Sequence, residues 1–156
     1  MKLFNMLTMS VAMLFVGFAG AEDKKPIAFD ATKLVGTWQI TGGKKDGADA
    51  SKEGIESTKL VVEKEKMTLK TSIGDFVMKY TVDAKTMPVS LDLEITDGPD
   101  KDAKGTKAKG IVSIDGDTVK IAYHPMGGAR PKNFDAKKDS GEFSFTMKRE
   151  VKKDKK

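Results

Sequence analysis

The chain has 156 residues, 28 Lys and Arg against 23 Asp and Glu for a formal charge of +5, one His and no Cys. The absence of Cys excludes a disulfide framework, thiol catalysis and thiolate metal sites. The positive excess is small and no aromatic residues are interleaved with the basic ones, which argues against nucleic-acid binding.

The N-terminus reads as an export signal. Lys2 supplies the positive end, Met6 to Phe18 is a mostly apolar stretch, and Ala19-Gly20-Ala21 is an A-x-A cleavage site followed by Glu22-Asp23-Lys24-Lys25. The apolar run is shorter than the roughly 20 residues a bilayer span needs. Cleavage after Ala21 is therefore expected, leaving a periplasmic or extracellular protein with no stable membrane insertion. No Cys follows the apolar run, so a lipid anchor of the usual bacterial type is not expected. The expected organisation is a signal peptide over 1–21, a linker over 22–29, one domain over 30–150 and a basic tail over 151–156. A chain of about 150 residues buries roughly 70% of its unfolded surface, so one domain can stand on its core without a covalent staple.

Asp30-Ala31-Thr32-Lys33-Leu34 predicts one helical turn capped by Asp30. The first strand follows, with Gly36, Trp38 and Ile40 on one face and Thr37, Gln39 and Thr41 on the other. Gly42 to Ser57 reads as a long polar loop, with a helical turn inside Ala50 to Ile55. Thr58 to Glu63 is a strand with Leu60 and Val62 inward. The charged turn Glu63-Lys64-Glu65-Lys66 leads into a strand from Lys66 to Ile73, with Met67, Leu69 and Ile73 inward. Gly74-Asp75 is the next turn. Phe76 to Asp83 turns Phe76, Met78, Tyr80 and Val82 to one face. Val89 to Thr96 alternates most cleanly, with Val89, Leu91, Leu93 and Ile95 inward. After a polar loop to about Lys107, two strands form a hairpin around Asp115-Gly116, with Val112, Ile114, Val119, Ile121 and Tyr123 inward. Pro125 to Gly141 is a second long loop. Phe143 to Arg149 is the last strand, with Phe143, Phe145, Met147 and Arg149 on one parity.

These segments amount to eight short antiparallel strands with one apolar face each and no helix long enough to cover a sheet. An open sheet of that kind exposes both its edges and its apolar face. Closing it into an up-and-down barrel removes both problems, and eight strands enclose either packed side chains or one small ligand. A two-sheet sandwich is the alternative, disfavoured by the nearly sequential hairpins. In either arrangement Arg149 is a charge on an apolar face, and Trp38 is its natural partner.

Gly36-x-Trp38 on the first strand with Arg149 on the last resembles the lipocalin and calycin pattern, in which the Arg stacks across the Trp at the closed end. A wider set of residues is similar to a family of small exported proteins of planctomycete-type bacteria with a lipocalin-like domain. That set comprises Leu34-x-Gly36-x-Trp38, Thr96-Asp97-Gly98-Pro99-Asp100-Lys101, Gly110-Ile111, Asp115-Gly116-Asp117-Thr118-Val119-Lys120-Ile121, Arg130-Pro131-x-x-Phe134 and Phe145-x-x-Lys148-Arg149. The polar Gly42–Ser57 stretch and the Lys-rich tail depart from the family pattern. The family has no assigned activity, so the resemblance implies a lipocalin-like fold and export.

No catalytic constellation is visible in the sequence. His124 falls on the polar parity of its strand with no partner nearby, and reads as a surface residue. Asp97, Asp100 and Asp102 do not fit a calcium loop, because the twelfth position from Asp97 is Ala108. Gly127-Gly128-Ala129-Arg130 imitates a phosphate-cradling loop, but no helix follows to supply the dipole. A non-catalytic, monomeric protein without metal or cofactor is expected. The inward face is the remaining candidate site. Leu69, Phe76, Met78, Tyr80, Leu91, Leu93, Tyr123 and Phe145 are its lumen candidates, with Arg130 at the mouth. The leading expectation is a small apolar ligand in the lumen, with Gly42–Ser57 and Pro125–Gly141 near the mouth. The alternative is a solid barrel that contacts another envelope protein or an anionic surface.

Overall fold

The computed structural model describes residues 28–151. The expected signal peptide, most of the expected linker and the end of the basic tail lie outside the described residues. The strands are β1 (Gly36–Lys45), β2 (Ala48–Asp49), β3 (Lys59–Val62), β4 (Lys66–Thr71), β5 (Gly74–Asp83), β6 (Val89–Asp97), β7 (Lys107–Asp115), β8 (Thr118–His124) and β9 (Phe143–Arg149). One helix, α1 (Lys52–Ser57), lies between β2 and β3, and 3₁₀ turns cover Ala31–Leu34 and Lys101–Ala103. Strands β3 to β9 pair with their sequence neighbours, β1 pairs with β3, and β9 returns to pair with β1. The result is a closed eight-stranded antiparallel up-and-down barrel of lipocalin-like architecture, with β2 as one extra short strand folded back on β1.

The closed end is built as the parity predicts. Asp30 caps the 3₁₀ turn, its carboxylate accepting from the Thr32 N–H and hydroxyl, and these bonds hold its pKa below the ordinary carboxylate value. The turn seats Leu34 under Trp38, whose Nε1 donates to the Leu34 carbonyl at 2.7 Å. Arg149 pairs with Trp38 across the β1–β9 seam, its guanidinium carbon 4.2 Å from the ring centroid. The same guanidinium donates to the carbonyls of Val35 and Lys33 and to Asp117. Stacking of this kind contributes about 0.5–2 kcal/mol. Gly36 has φ +144°, and a Cβ there would lie 2.6 Å from an Arg149 nitrogen, so the guanidinium occupies the space a side chain would need.

Above this plug the lower lumen is solid. Ile40, Leu60, Val62, Met67, Leu91, Val112, Val119 and Met147 are all buried and contiguous, each contributing about 1.5–3 kcal/mol on burial. Phe29 packs on the same cluster, so the packed domain begins one residue inside the span expected to be linker.

Three expectations are corrected. The first is the loop over Gly42–Ser57. β1 continues to Lys45 because β9 offers it partners as far as Phe143. The chain then reverses at Asp46-Gly47, whose φ values of 50° and 79° fit a two-residue hairpin turn, and α1 follows. The second is the turn at Gly74-Asp75. Thr71 pairs with Gly74, so the turn residues are Ser72 and Ile73. The Thr71 hydroxyl accepts from the Ile73 N–H and donates to the Gly74 carbonyl, a side-chain-stabilised turn that leaves Ile73 74% exposed rather than inward. Because the turn moves by two residues, the parity of Phe76 and Met78 is unchanged.

The third is Pro125–Gly141, expected at the mouth. Ile111, Ala122 and Ser144 pair side by side on the outward parity and are nevertheless buried. This segment covers them, with Pro131 and Ala136 buried in its middle. Its middle is tied down by Arg130 to β6 and β7, and by Asp135 to Lys44 at 3.0 Å. It is a strap along the outer wall.

Candidate functional site

The upper half of the barrel holds a cup. A narrow slot of about 50 Å³ lies between Leu60, Met67, Leu69, Met78, Leu93, Ile121, Tyr123, Phe145 and Met147. It opens into a cavity of about 420 Å³ that adds Phe76, Ile95, Ala108 and Phe143 from the strands, Thr106 from the connection before β7, and Gly54 and Ser57 from α1. A second opening of about 370 Å³ lies toward β2, between Ile40, Asp49, Ala50, Ile55 and Phe143. Lys45, Gly54, Thr58, Leu69, Thr71, Tyr123 and Phe143 line both openings.

Helix α1 sits across the top and divides the two openings. Ser51 caps it, accepting from the Gly54 N–H at 3.1 Å, and Ile55 packs on the barrel core. Its C-terminal carbonyls need donors. The Gln39 amide supplies them, donating to Ile55 at 3.0 Å and Thr58 at 3.1 Å from the neighbouring strand.

The lining is apolar with few polar groups. Thr71 is committed to its own turn. Tyr123 meets Phe143 edge-on at 5.7 Å and Phe145 at 6.3 Å. Its hydroxyl has no hydrogen-bond partner among the described residues, and desolvation pushes its pKa up to about 12. Lys45 reaches the lip because of a β-bulge. Ile40 pairs with Met147 and Gly42 with Thr146, which leaves Thr41 as an extra residue. The extra residue reverses the inward parity of β1, so Gly43 and Lys45, not Gly42 and Lys44, follow Ile40 on the lumen side. Gly43 permits this, since a Cβ there would lie 2.5 Å from the Phe145 ring. The Lys45 ammonium stands 5.7 Å from the Phe143 centroid and forms no ion pair among the described residues.

Of the residues predicted from sequence, Leu69, Phe76, Met78, Leu93, Tyr123 and Phe145 meet in the cup. Tyr80, Leu91 and Arg130 do not line it. Tyr80 donates to the carbonyls of Glu63 and Lys64, at the turn that ends β3 on the closed side. Leu91 is completely buried in the solid floor. Arg130 lies outside the barrel wall, donating to the carbonyls of Leu91 and Gly110 and to Asp92. The sequence reading put Gly42–Ser57 near the mouth with a helical turn inside Ala50 to Ile55, where α1 (Lys52–Ser57) lines the openings, and it missed Lys45 at the lip. The Asp-Gly dipeptide at 46–47 was the available signal for a hairpin there.

The other polar candidates serve the fold. His124 accepts from the Gly128 N–H at 3.3 Å, and Gly128 and Gly141 both leave space that its ring fills, so it wedges the start and end of the strap. Asp97 and Asp100 accept from the N–H groups of Gly98 and Asp102 in their own turn. Among the described residues no three His, Asp or Glu side chains converge to hold a metal, and no helix is long and apolar enough to cross a membrane. A scan of protein-family models finds no match to the chain, and no curated protein is significantly similar to it.

Proposed function

We propose that the protein is an exported, non-catalytic carrier that holds a small apolar molecule in the upper half of its barrel. The observation that carries this reading is the contrast between the two halves of the lumen. The lower half is filled by its own side chains, while the upper half leaves an apolar cavity of about 420 Å³ under a short helix. Small-molecule sites have this size and this lining, mostly apolar with a few polar groups. Export rests on the leader at 1–21. Closure of β9 onto β1 leaves no open barrel edge, which supports a monomer. A non-catalytic role is supported by the engagement of His124 in holding the strap.

The test is native mass spectrometry of the protein made with its leader and purified from an envelope fraction. The expected result is a mature chain starting at Glu22 with a reproducible mass excess that disappears on denaturation. A bare chain that also fails to take up added decanol would overturn the carrier reading. It would favour a barrel that works through a protein partner or an anionic surface.

A further inference from the structure

The shared lip of the two openings holds two polar groups that the fold does not use. The Lys45 ammonium has no ion-pair partner among the described residues, and the Tyr123 hydroxyl has no hydrogen-bond partner among them. Both side chains neighbour the Phe143 ring, the ammonium 5.7 Å from its centroid and the tyrosine ring in a T-shaped contact with it. Both also line the 420 Å³ and the 370 Å³ openings. Two features bring the ammonium to this lip at the cost of local regularity. The Thr41 bulge turns Lys45 to the lumen side, and Gly43 clears the space beneath. A lysine serving only solubility would need neither.

We propose that the ligand is a monocarboxylate amphiphile. Its carboxylate is held at the lip by the Lys45 ammonium and the Tyr123 hydroxyl, and its hydrocarbon lies against Leu69, Met78 and Leu93. This rests on the carrier reading and adds the chemical class of the guest. One ammonium and one hydroxyl match a single negative charge with two acceptor oxygens. A phosphate or sulfate group calls for more donors. The only two arginines of the chain, Arg130 and Arg149, are already bound to backbone carbonyls and aspartates. Asp49 lines the second opening but not the larger cavity, so an anion is favoured where Lys45 and Tyr123 face the larger cavity, and the tail enters that cavity. The high pKa of Tyr123 keeps its hydroxyl a donor at every physiological pH.

The experiment is titration calorimetry of the full mature chain with decanoate and with decan-1-ol, which share a tail and differ in the head. Decanoate should bind at least about tenfold more tightly, the effect of one charge-assisted contact. In Lys45→Met the two affinities should come within about twofold of each other, with decanol unchanged. Tyr123→Phe should weaken decanoate several-fold. Retained decanol binding shows that each variant is folded. Equal affinities in the unsubstituted protein, or a preference that survives Lys45→Met, would overturn the carboxylate assignment and leave the carrier reading standing. Failure of both probes to bind would overturn the two together.

Discussion

The Tyr123 ring packs against Phe143 and Phe145 at a half-buried position of the lining, and desolvation raises its pKa from 10.0 to about 12. This makes a definite prediction for alkaline stability. Below about pH 10 the hydroxyl is protonated in the folded and the unfolded chain alike, and its contribution is constant. Above that pH the unfolded chain ionises first, so the native state binds the extra proton and stability falls as pH rises. The loss levels off only above about pH 12, at up to about 3 kcal/mol. Lysines titrate in the same window, so the informative quantity is the difference from Tyr123→Phe in urea unfolding. Relative to that variant the unsubstituted protein should lose about 2–3 kcal/mol between about pH 9 and about pH 12. A difference that stays flat means that water reaches the hydroxyl freely and that desolvation does not raise its pKa. At this scale the sequence was readable wherever side chains simply alternate. Trp38 and Arg149 share a parity and meet as that parity requires. Lys45 was not readable, because a single extra residue at Thr41 inverts the pattern and alternation carries no mark of it.

Most strands were legible because an apolar face with a period of two has few ways to be buried. The connecting segments were harder, because their positions are set by partners distant in sequence. Gly42–Ser57 looked like a loop, since Gly, Lys and Asp have low strand propensity. Pairing with β9 overrides that propensity as far as Lys45. The strap shows the same effect. Ile111 and Ala122 broke the outward polar parity of their strands, and that was the sequence's one sign that something covers this wall. Arg130 was placed by the sequence at the mouth, where it would meet a ligand. In the fold it clamps the strap, its guanidinium shared between the Leu91 and Gly110 carbonyls and Asp92. The two locations predict different behaviour for Arg130→Ala. A clamp removed from a partly exposed site should cost about 1–3 kcal/mol of stability, with faster amide exchange confined to β6, β7 and the strap. The affinity for decanol should stay within about twofold. A selective loss of binding with stability intact would return Arg130 to the ligand.

Taken as a whole, the barrel joins a rigid end to an adaptable one. The seam that closes it runs from Trp38 and Arg149 at the sealed end to Lys45 and Phe143 at the open end, so stability and recognition are built on the same pair of strands. Close-packed interiors respond to added volume with strain, whereas a cavity takes it up. The halves should therefore answer oppositely to the same substitution. Leu91 is completely buried in the floor, and Leu91→Trp should overpack it, costing about 1–3 kcal/mol. The folded molecules should still bind decanol with unchanged affinity. Met78 lies at the junction of slot and cup. Met78→Trp should place its ring in the empty space, keep stability within about 1 kcal/mol and weaken decanol at least about tenfold. Urea unfolding and calorimetry on the two variants separate the halves, since each moves one readout and spares the other. If Met78→Trp destabilises the protein as much as Leu91→Trp and leaves decanol affinity unchanged, the upper lumen is packed like the lower one. The guest would then have to be sought on the outside of the barrel.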